Sequence, residues 1–332
     1  MAIKKANELD FSQKKVTLLI YGRPGIGKTT VAISAPRTLV VDFDDGIDRV
    51  EACYRGDTAT VDSNKSAIEK YNEFINDLKS SDLSDYDTIV IDTLGKFQEL
   101  ATPVVIAENS VNGQKDGVTL SMKGYGALFS KFKDLNKLVH SLGKHIVWIC
   151  HATETMDNDV VKSRLNLTGS TKDDVWKDVD LGGFMEMNGN KRYIYFTPSE
   201  RYDAKGTHGI NGKYEIPTLP STNDGGKFEN NTFLSDLFKV YIDDITKSQR
   251  KYASDSDIYN VAMELKPIIE KAGTIDELNS AFDKLKTTTH ALTSKRELFN
   301  ACELKAKDLG LVFNKESGVY VVDDTNTKPS SK

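Results

Sequence analysis

The sequence predicts an α/β protein whose mostly parallel sheet is flanked by helices, followed by a small helical C-terminal domain. Three observations carry that expectation. Apolar runs of strand length alternate with helix-period segments over the first 200 or so residues. Those runs are close to continuously apolar, as in strands buried on both faces. Beyond about Thr246, helical segments follow one another directly.

The first strand is "VTLLIY", Val16 to Tyr21, and "TTVAISAP" begins a helix that Pro36 stops. "RTLVVDFDD" gives a second strand. Ser66 to Lys79 is an amphipathic helix, with Ile68, Tyr71, Ile75 and Leu78 at helical spacing, and "YDTIVIDT" is a third strand. A further helix, "YGALFSKFKDLNKLVHSLG", lines up Leu128, Phe132, Leu135, Leu138 and Val139 and ends at Gly143 before the strand "HIVWICHAT". "GGFMEMNG" and "KRYIYFTP", joined by Asn188-Gly189-Asn190, read as an antiparallel hairpin, and the core is expected to run to about Pro198.

Residues 199–226 are rich in Gly, Pro, Asn and Ser and read as surface loop; the short helix "TFLSDLFKVYIDDI" closes the first domain, 1–245. A linker is expected over 246–255 and a helical domain over 256–322, built from "SDIYNVAMELKPIIEKAG", "TIDELNSAFDKLKTTTH" and "TSKRELFNACELKAKDLG". Thr274 with Glu277 forms a capping box, and 323–332 is a polar tail.

The loop between the first strand and helix, "GRPGIGKTT", fits the pattern Gly, four residues, Gly, Lys, Ser/Thr. The candidate phosphate-binding residues are Gly22, Arg23, Pro24, Gly25, Ile26, Gly27, Lys28, Thr29 and Thr30. Glycines let successive N–H groups turn toward phosphate oxygens, Lys28 brings a point charge to the terminal phosphates, and Thr29 offers a hydroxyl to Mg2+. Asp92, at the carboxyl end of "TIVID", is the expected second magnesium ligand, with Thr93 able to extend that shell. ATP and Mg2+ are therefore the expected cofactors. The other reading of each feature is structural: a Gly-rich turn, and an Asp that merely ends a strand.

Composition sets bounds. The chain has 332 residues, 39% hydrophobic and 28% charged, with a formal net charge of -5. That is globular, offers no overall attraction to nucleic acid, and includes no apolar stretch near the roughly 20 residues that span a bilayer. The opening "MAIKKANELDFSQKK" has no apolar core, so a cytoplasmic protein is expected. Cys53, Cys150 and Cys302 are scattered and unlike metal ligands.

The order of these strands resembles that of the RecA-like recombinase ATPases. Within that group the first 200 residues look like phage-encoded RecA-like P-loop ATPases of the AAA/recombinase type, some related to single-strand annealing proteins. The resemblance implies a RecA-like P-loop NTPase core and magnesium-dependent ATP hydrolysis in DNA recombination or replication. It also implies homo-oligomers acting on single-stranded DNA or beside replication and recombination proteins of phage or host. It places the residue acting on water at Asp44, two past the strand-end acid Asp42, where the family usually has Glu; Asp45 competes, and "DFDDG" as a plain acidic turn is the structural alternative. It gives phosphate sensing to His151, where the family commonly carries Gln. Lys28, Asp44, Asp92 and His151 are thus the catalytic candidates.

The stretches between Thr93 and Ser121 and between Ala152 and Leu181 fall where that family carries DNA-facing loops. Lys115, Lys162, Arg164 and Lys172 could reach phosphates there, although Asp157, Asp159, Asp173, Asp174, Asp178 and Asp180 would repel them. Arg192, Arg201 and Lys205 follow; the resemblance puts Arg201 and Lys205 in the region from which a cation is offered across a subunit interface, and surface charge is the other reading. Two rival functions remain: a P-loop small-molecule kinase, disfavoured by sparse arginine after Asp92, and a nucleotide-dependent scaffold with little turnover.

Overall fold

The computed structural model describes residues 3–62, 64–157 and 160–323. The expected tail therefore lies, but for Asp323, outside the described residues, as does Asp159. Packing divides the chain into two compact units, one of residues 12–244 and one of residues 245 onward together with the segment up to Phe11.

The first unit is built on β1 (Thr17–Gly22), which lies inside a nine-stranded sheet with every one of its residues buried. It pairs in parallel with β5 (His145–Asp157) on one side and β7 (Leu181–Asn188) on the other. Beyond β5 lie β4 (Thr88–Asp92), β2 (Thr38–Asp42) and β3 (Asp57–Thr60), all parallel. Beyond β7 come β8 (Lys191–Tyr195) and β9 (Lys213–Ile216), both antiparallel. The turn at Gly189-Asn190 closes the β7–β8 hairpin as expected, Gly189 taking φ 61°.

Strand residues alternate between two apolar layers. Leu19, Tyr21, Ile89, Ile91, Ile146 and Trp148 pack on one face against α2 (Ala67–Ser80), α3 (Leu94–Glu108) and α4 (Met122–Ser141). Leu18, Ile20, Val40, Val90, Val147 and Ile149 pack on the other with α1 (Lys28–Ile33) and the start of α6 (Phe233–Met263). Burial on both faces is why these strands carry no polar alternation. The α/β class and the mostly parallel sheet flanked by helices are those expected.

Several sequence expectations need correction. The stretch after Thr93 is helix α3 rather than loop; Gly95 and Pro103 disguise it, but its buried face of Leu94, Phe97, Ala101 and Val105 holds it on the sheet. After Ala152 the chain continues β5 outward, returns as the antiparallel strand β6 (Val160–Leu165), and forms α5 (Thr171–Asp178). The sheet does not stop near Pro198, because the expected loop contains β9. The expected linker 246–255 is helical within α6: residues 233–263 contain neither Gly nor Pro, so nothing in the backbone ends the helix.

The second unit continues from residue 245 of α6 through α7 (Lys266–Lys271), α8 (Ile275–Thr287) and α9 (Ser294–Asp308) to a hairpin of β10 (Leu311–Asn314) and β11 (Val319–Val322). Pro267, near the start of α7, separates it from α6. Thr274 caps α8 by accepting from Glu277 N, as the sequence predicts. Phe282, Leu298, Cys302 and Tyr320 are buried together in this unit's own core.

Candidate functional site

The glycine loop leaves β1 at Gly22, where a β-carbon would stand 2.7 Å from the Met185 carbonyl oxygen of β7. Only glycine lets the two strands approach this closely. Gly27 takes φ 88° and ψ 28° as the residue before α1, a left-handed conformation that turns the loop back over its own end. Ile26 is buried and anchors the loop, while Arg23 and Pro24 are exposed.

Lys28 is 5% exposed, and its Nζ donates to the carbonyl oxygens of Gly22 at 3.1 Å and Arg23 at 2.9 Å. It also reaches His151 Nδ1 at 3.4 Å. Burial pulls its pKa below the usual lysine value, against the opposing pull of the Asp92, Cys150 and Asp44 charges. The ammonium thus lies inside the loop, held by carbonyl dipoles rather than by a carboxylate.

Thr29 donates its hydroxyl to Asp92 Oδ2 at 2.6 Å. Burial pushes the Asp92 carboxyl up to about 6; the nearby Asp42 and Asp44 add to this, while the Thr29 hydrogen bond and Lys28 oppose it. A hydroxyl and a carboxylate converging in this way fit a hard cation that takes oxygen ligands. Among the described residues no cluster of three or more His, Cys, Asp or Glu could hold a metal alone. The remaining ligands would be phosphate oxygens and water, which is how magnesium is usually held. The Thr93 hydroxyl, expected to extend this shell, instead accepts from Lys96 N and caps α3.

Asp44, just past the end of β2, and His151, midway along β5, approach each other, with Asp44 Oδ2 3.9 Å from His151 Nε2. Because Nδ1 accepts from the Lys28 ammonium, the ring proton belongs on Nε2, facing Asp44. Burial, followed by the Lys28 charge, lowers the His151 pKa, and Asp44 opposes the shift. Asp44 is half-buried and lies 3.9 Å from Arg49, whereas its rival Asp45 is exposed. Asp42, the strand-end acid, accepts from Asp44 N, Gly46 N and Ile47 N and shapes the turn that presents Asp44.

The remaining basic candidates are largely engaged. Lys162 pairs with Asp157, and Arg164 with Asp203 at 3.3 Å. Arg201 pairs with Glu186 at 3.2 Å. Lys205 is held by the carbonyl oxygens of Trp176 and Val179 at 3.0 and 2.6 Å, a structural tie that leaves its ammonium committed within the chain. Lys115 and Lys172 are exposed. Of the acidic residues expected to repel DNA, Asp174, Asp178 and Asp180 are engaged by Lys177, Asn136 and Thr17 N.

Two features escaped sequence reasoning. Arg23 pairs with Glu154 of β5 at 2.6 Å, tying the glycine loop to the β5–β6 hairpin. Arg192 packs beside the loop, its Nε 3.6 Å from where a Gly27 β-carbon would stand. Both depend on strand pairings remote in sequence and had no local signal.

A family model described as AAA domain matches residues 14–208. Among solved structures, the chain is similar to an ATPase domain at 11% identity and a TM-score of 0.36, over 56% of this chain and 77% of that one. It is also similar to the flagellar accessory protein FlaH from Methanocaldococcus jannaschii at 12% identity and a TM-score of 0.32, over 54% and 76%. No curated protein matches the sequence.

Proposed function

The chain belongs to the AAA-domain family, and we propose that it binds ATP with magnesium at residues 22–30 and hydrolyses it. The observation that carries this reading is the 2.6 Å approach of Thr29 to Asp92 beside the buried Lys28 ammonium. Magnesium bound there would offset phosphate charge and polarise the terminal phosphoryl group. Thr29 and Asp92 would hold it, and loop N–H groups would hold the phosphate oxygens. Lys28 exchanges carbonyl partners for phosphate with little movement, since its ammonium already lies within the loop.

Asp44 is the group placed to accept a proton from attacking water: it stands at the site without being spent on backbone N–H groups. His151 donates through Nε2 to either Asp44 or the terminal phosphate, as a neutral sensor. The wider role follows the family resemblance: an oligomeric ATPase of phage DNA recombination or replication in the host cytoplasm, acting on single-stranded DNA or with a DNA-binding partner. Among the described residues no helix is long and apolar enough to cross a membrane. The β5–β6 hairpin supports coupling to a partner, because it leaves the sheet just beyond His151 and is tied to the loop by Arg23–Glu154. Its exposed Met156 and Val161 provide an apolar contact surface.

Phosphate release measured with and without single-stranded DNA tests the reading, and stimulation by DNA is expected. Tight ATP binding without turnover would instead establish the scaffold, and phosphate appearing on an added nucleoside would establish a kinase.

A further inference from the structure

A cavity of about 500 Å3 opens beside α1, between Gly27, Thr30 and Val31 on one side and Arg192, Tyr214 and Phe233 on the other. Its size is that of a small-molecule pocket, and Val31, Tyr214 and Phe233 give it the apolar and aromatic surface on which a flat heterocycle packs. Most of the polar groups on its walls are already engaged. Tyr54 donates to Pro220 O at 2.7 Å, and Asn231 to Thr30 O at 2.8 Å. Glu51 accepts from Thr222 N at 2.7 Å, and Asp236 from the Thr232 hydroxyl at 3.0 Å.

Arg192 is the exception. Among the described residues its Nε has no hydrogen-bond partner, and it lies buried next to Gly27. A buried guanidinium N–H left unpaired is costly unless an acceptor arrives, and the position faces the seam between the cavity and the glycine loop.

We propose that the cavity receives the nucleoside end of a nucleoside triphosphate and that Arg192, acting within its own chain, binds the phosphate chain where it enters the loop. This deepens, and rests on, the reading of residues 22–30 as a phosphate cradle. It also replaces the expectation of a cation supplied from another subunit with one built into β8. Binding would give Arg192 Nε its missing acceptor, and the planar fork would hold phosphate with a geometry lysine cannot copy.

Calorimetric titration of the full chain with Mg-ATP and Mg-tripolyphosphate tests this, with melting curves to check folding. The wild-type protein should prefer ATP over tripolyphosphate by about tenfold or more, the nucleoside end supplying the difference. Arg192→Gln should weaken both ligands by about tenfold to hundredfold. Arg192→Lys should recover part of that loss, and it decides the matter if the Gln variant melts early. Leu219→Trp, which fills the cavity from its wall, should remove the preference for ATP while leaving tripolyphosphate binding unchanged.

Wild-type affinity for both ligands in Arg192→Gln, alongside loss of both in Lys28→Ala, would overturn the Arg192 contact and leave the cradle standing. An unchanged ATP preference in Leu219→Trp would overturn the cavity assignment. No binding of either ligand by the wild-type chain would remove the cradle reading and this inference with it.

Discussion

The carboxyl ends of β2 and β4 look alike in sequence, each an apolar strand closed by aspartate, and Asp42 and Asp92 are register partners in the sheet. Both are almost fully buried. They differ in what the following backbone does. After Asp42 the chain doubles back, and three of its N–H groups close on the carboxylate. After Asp92 the chain enters α3, whose first turn is capped by Thr93, so among the described residues the Asp92 carboxylate keeps only the Thr29 hydroxyl. One buried acid is therefore used to build a turn, and the other is left available for a cation.

The largest expected effect comes from breaking the available end. Asp92→Asn should reduce magnesium-dependent turnover by about a thousandfold, since metal stabilisation of the transition state is worth several kcal/mol. It should leave the melting temperature unchanged or higher, because a desolvated carboxyl is removed. A drop in melting temperature with activity retained would invert the assignment of the two ends.

Asp44→Asn should lower turnover by about a hundredfold, within the usual range for a general base, with Mg-ATP affinity unchanged. Equal loss of affinity and turnover would count against a role on water. Asp42→Asn should act mainly on stability, by about 2 kcal/mol in chemical denaturation, because the amide cannot accept all three N–H bonds as well as a carboxylate does. An unchanged denaturation midpoint would show that the turn does not depend on Asp42.

The smallest effect is the pH dependence. With Asp92 near 6, its ionised fraction falls about tenfold from pH 7 to pH 5, and Mg-ATP affinity should fall by about the same factor. The folded pKa lies above the unfolded value of 3.8. This group therefore favours folding of the ligand-free chain most below about 4, and that contribution is lost as the pH rises through about 6. The affinity profile should be flat in Asp92→Asn, and in Asp42→Asn it should move to lower pH, because the Asp42 charge helps to raise the Asp92 carboxyl.

The same contrast shows what could be read from sequence. The glycine loop, Lys28, Thr29 and Asp92 were legible because their spacing and flanking elements are local. The strands were legible because burial on both faces leaves them unmixed with polar residues. The separate tasks of Asp42 and Asp92 were not, since nothing in "VVDFDDG" or "IVIDTLG" shows which chain will fold back over its acid. Helix α3 was hidden by Gly95 and Pro103, and α6 ran on through polar residues that lack a breaker. The edge strands β3, "DTAT", and β9, "KYEI", carry too little apolar surface to announce themselves.

Titration of the intact chain with ATP, in parallel with magnesium and with EDTA, tests the central claim most directly. A saturating heat that tightens markedly with magnesium in the wild-type protein, but not in Asp92→Asn, is the predicted result. No heat at all, or the same affinity under both conditions, would contradict it.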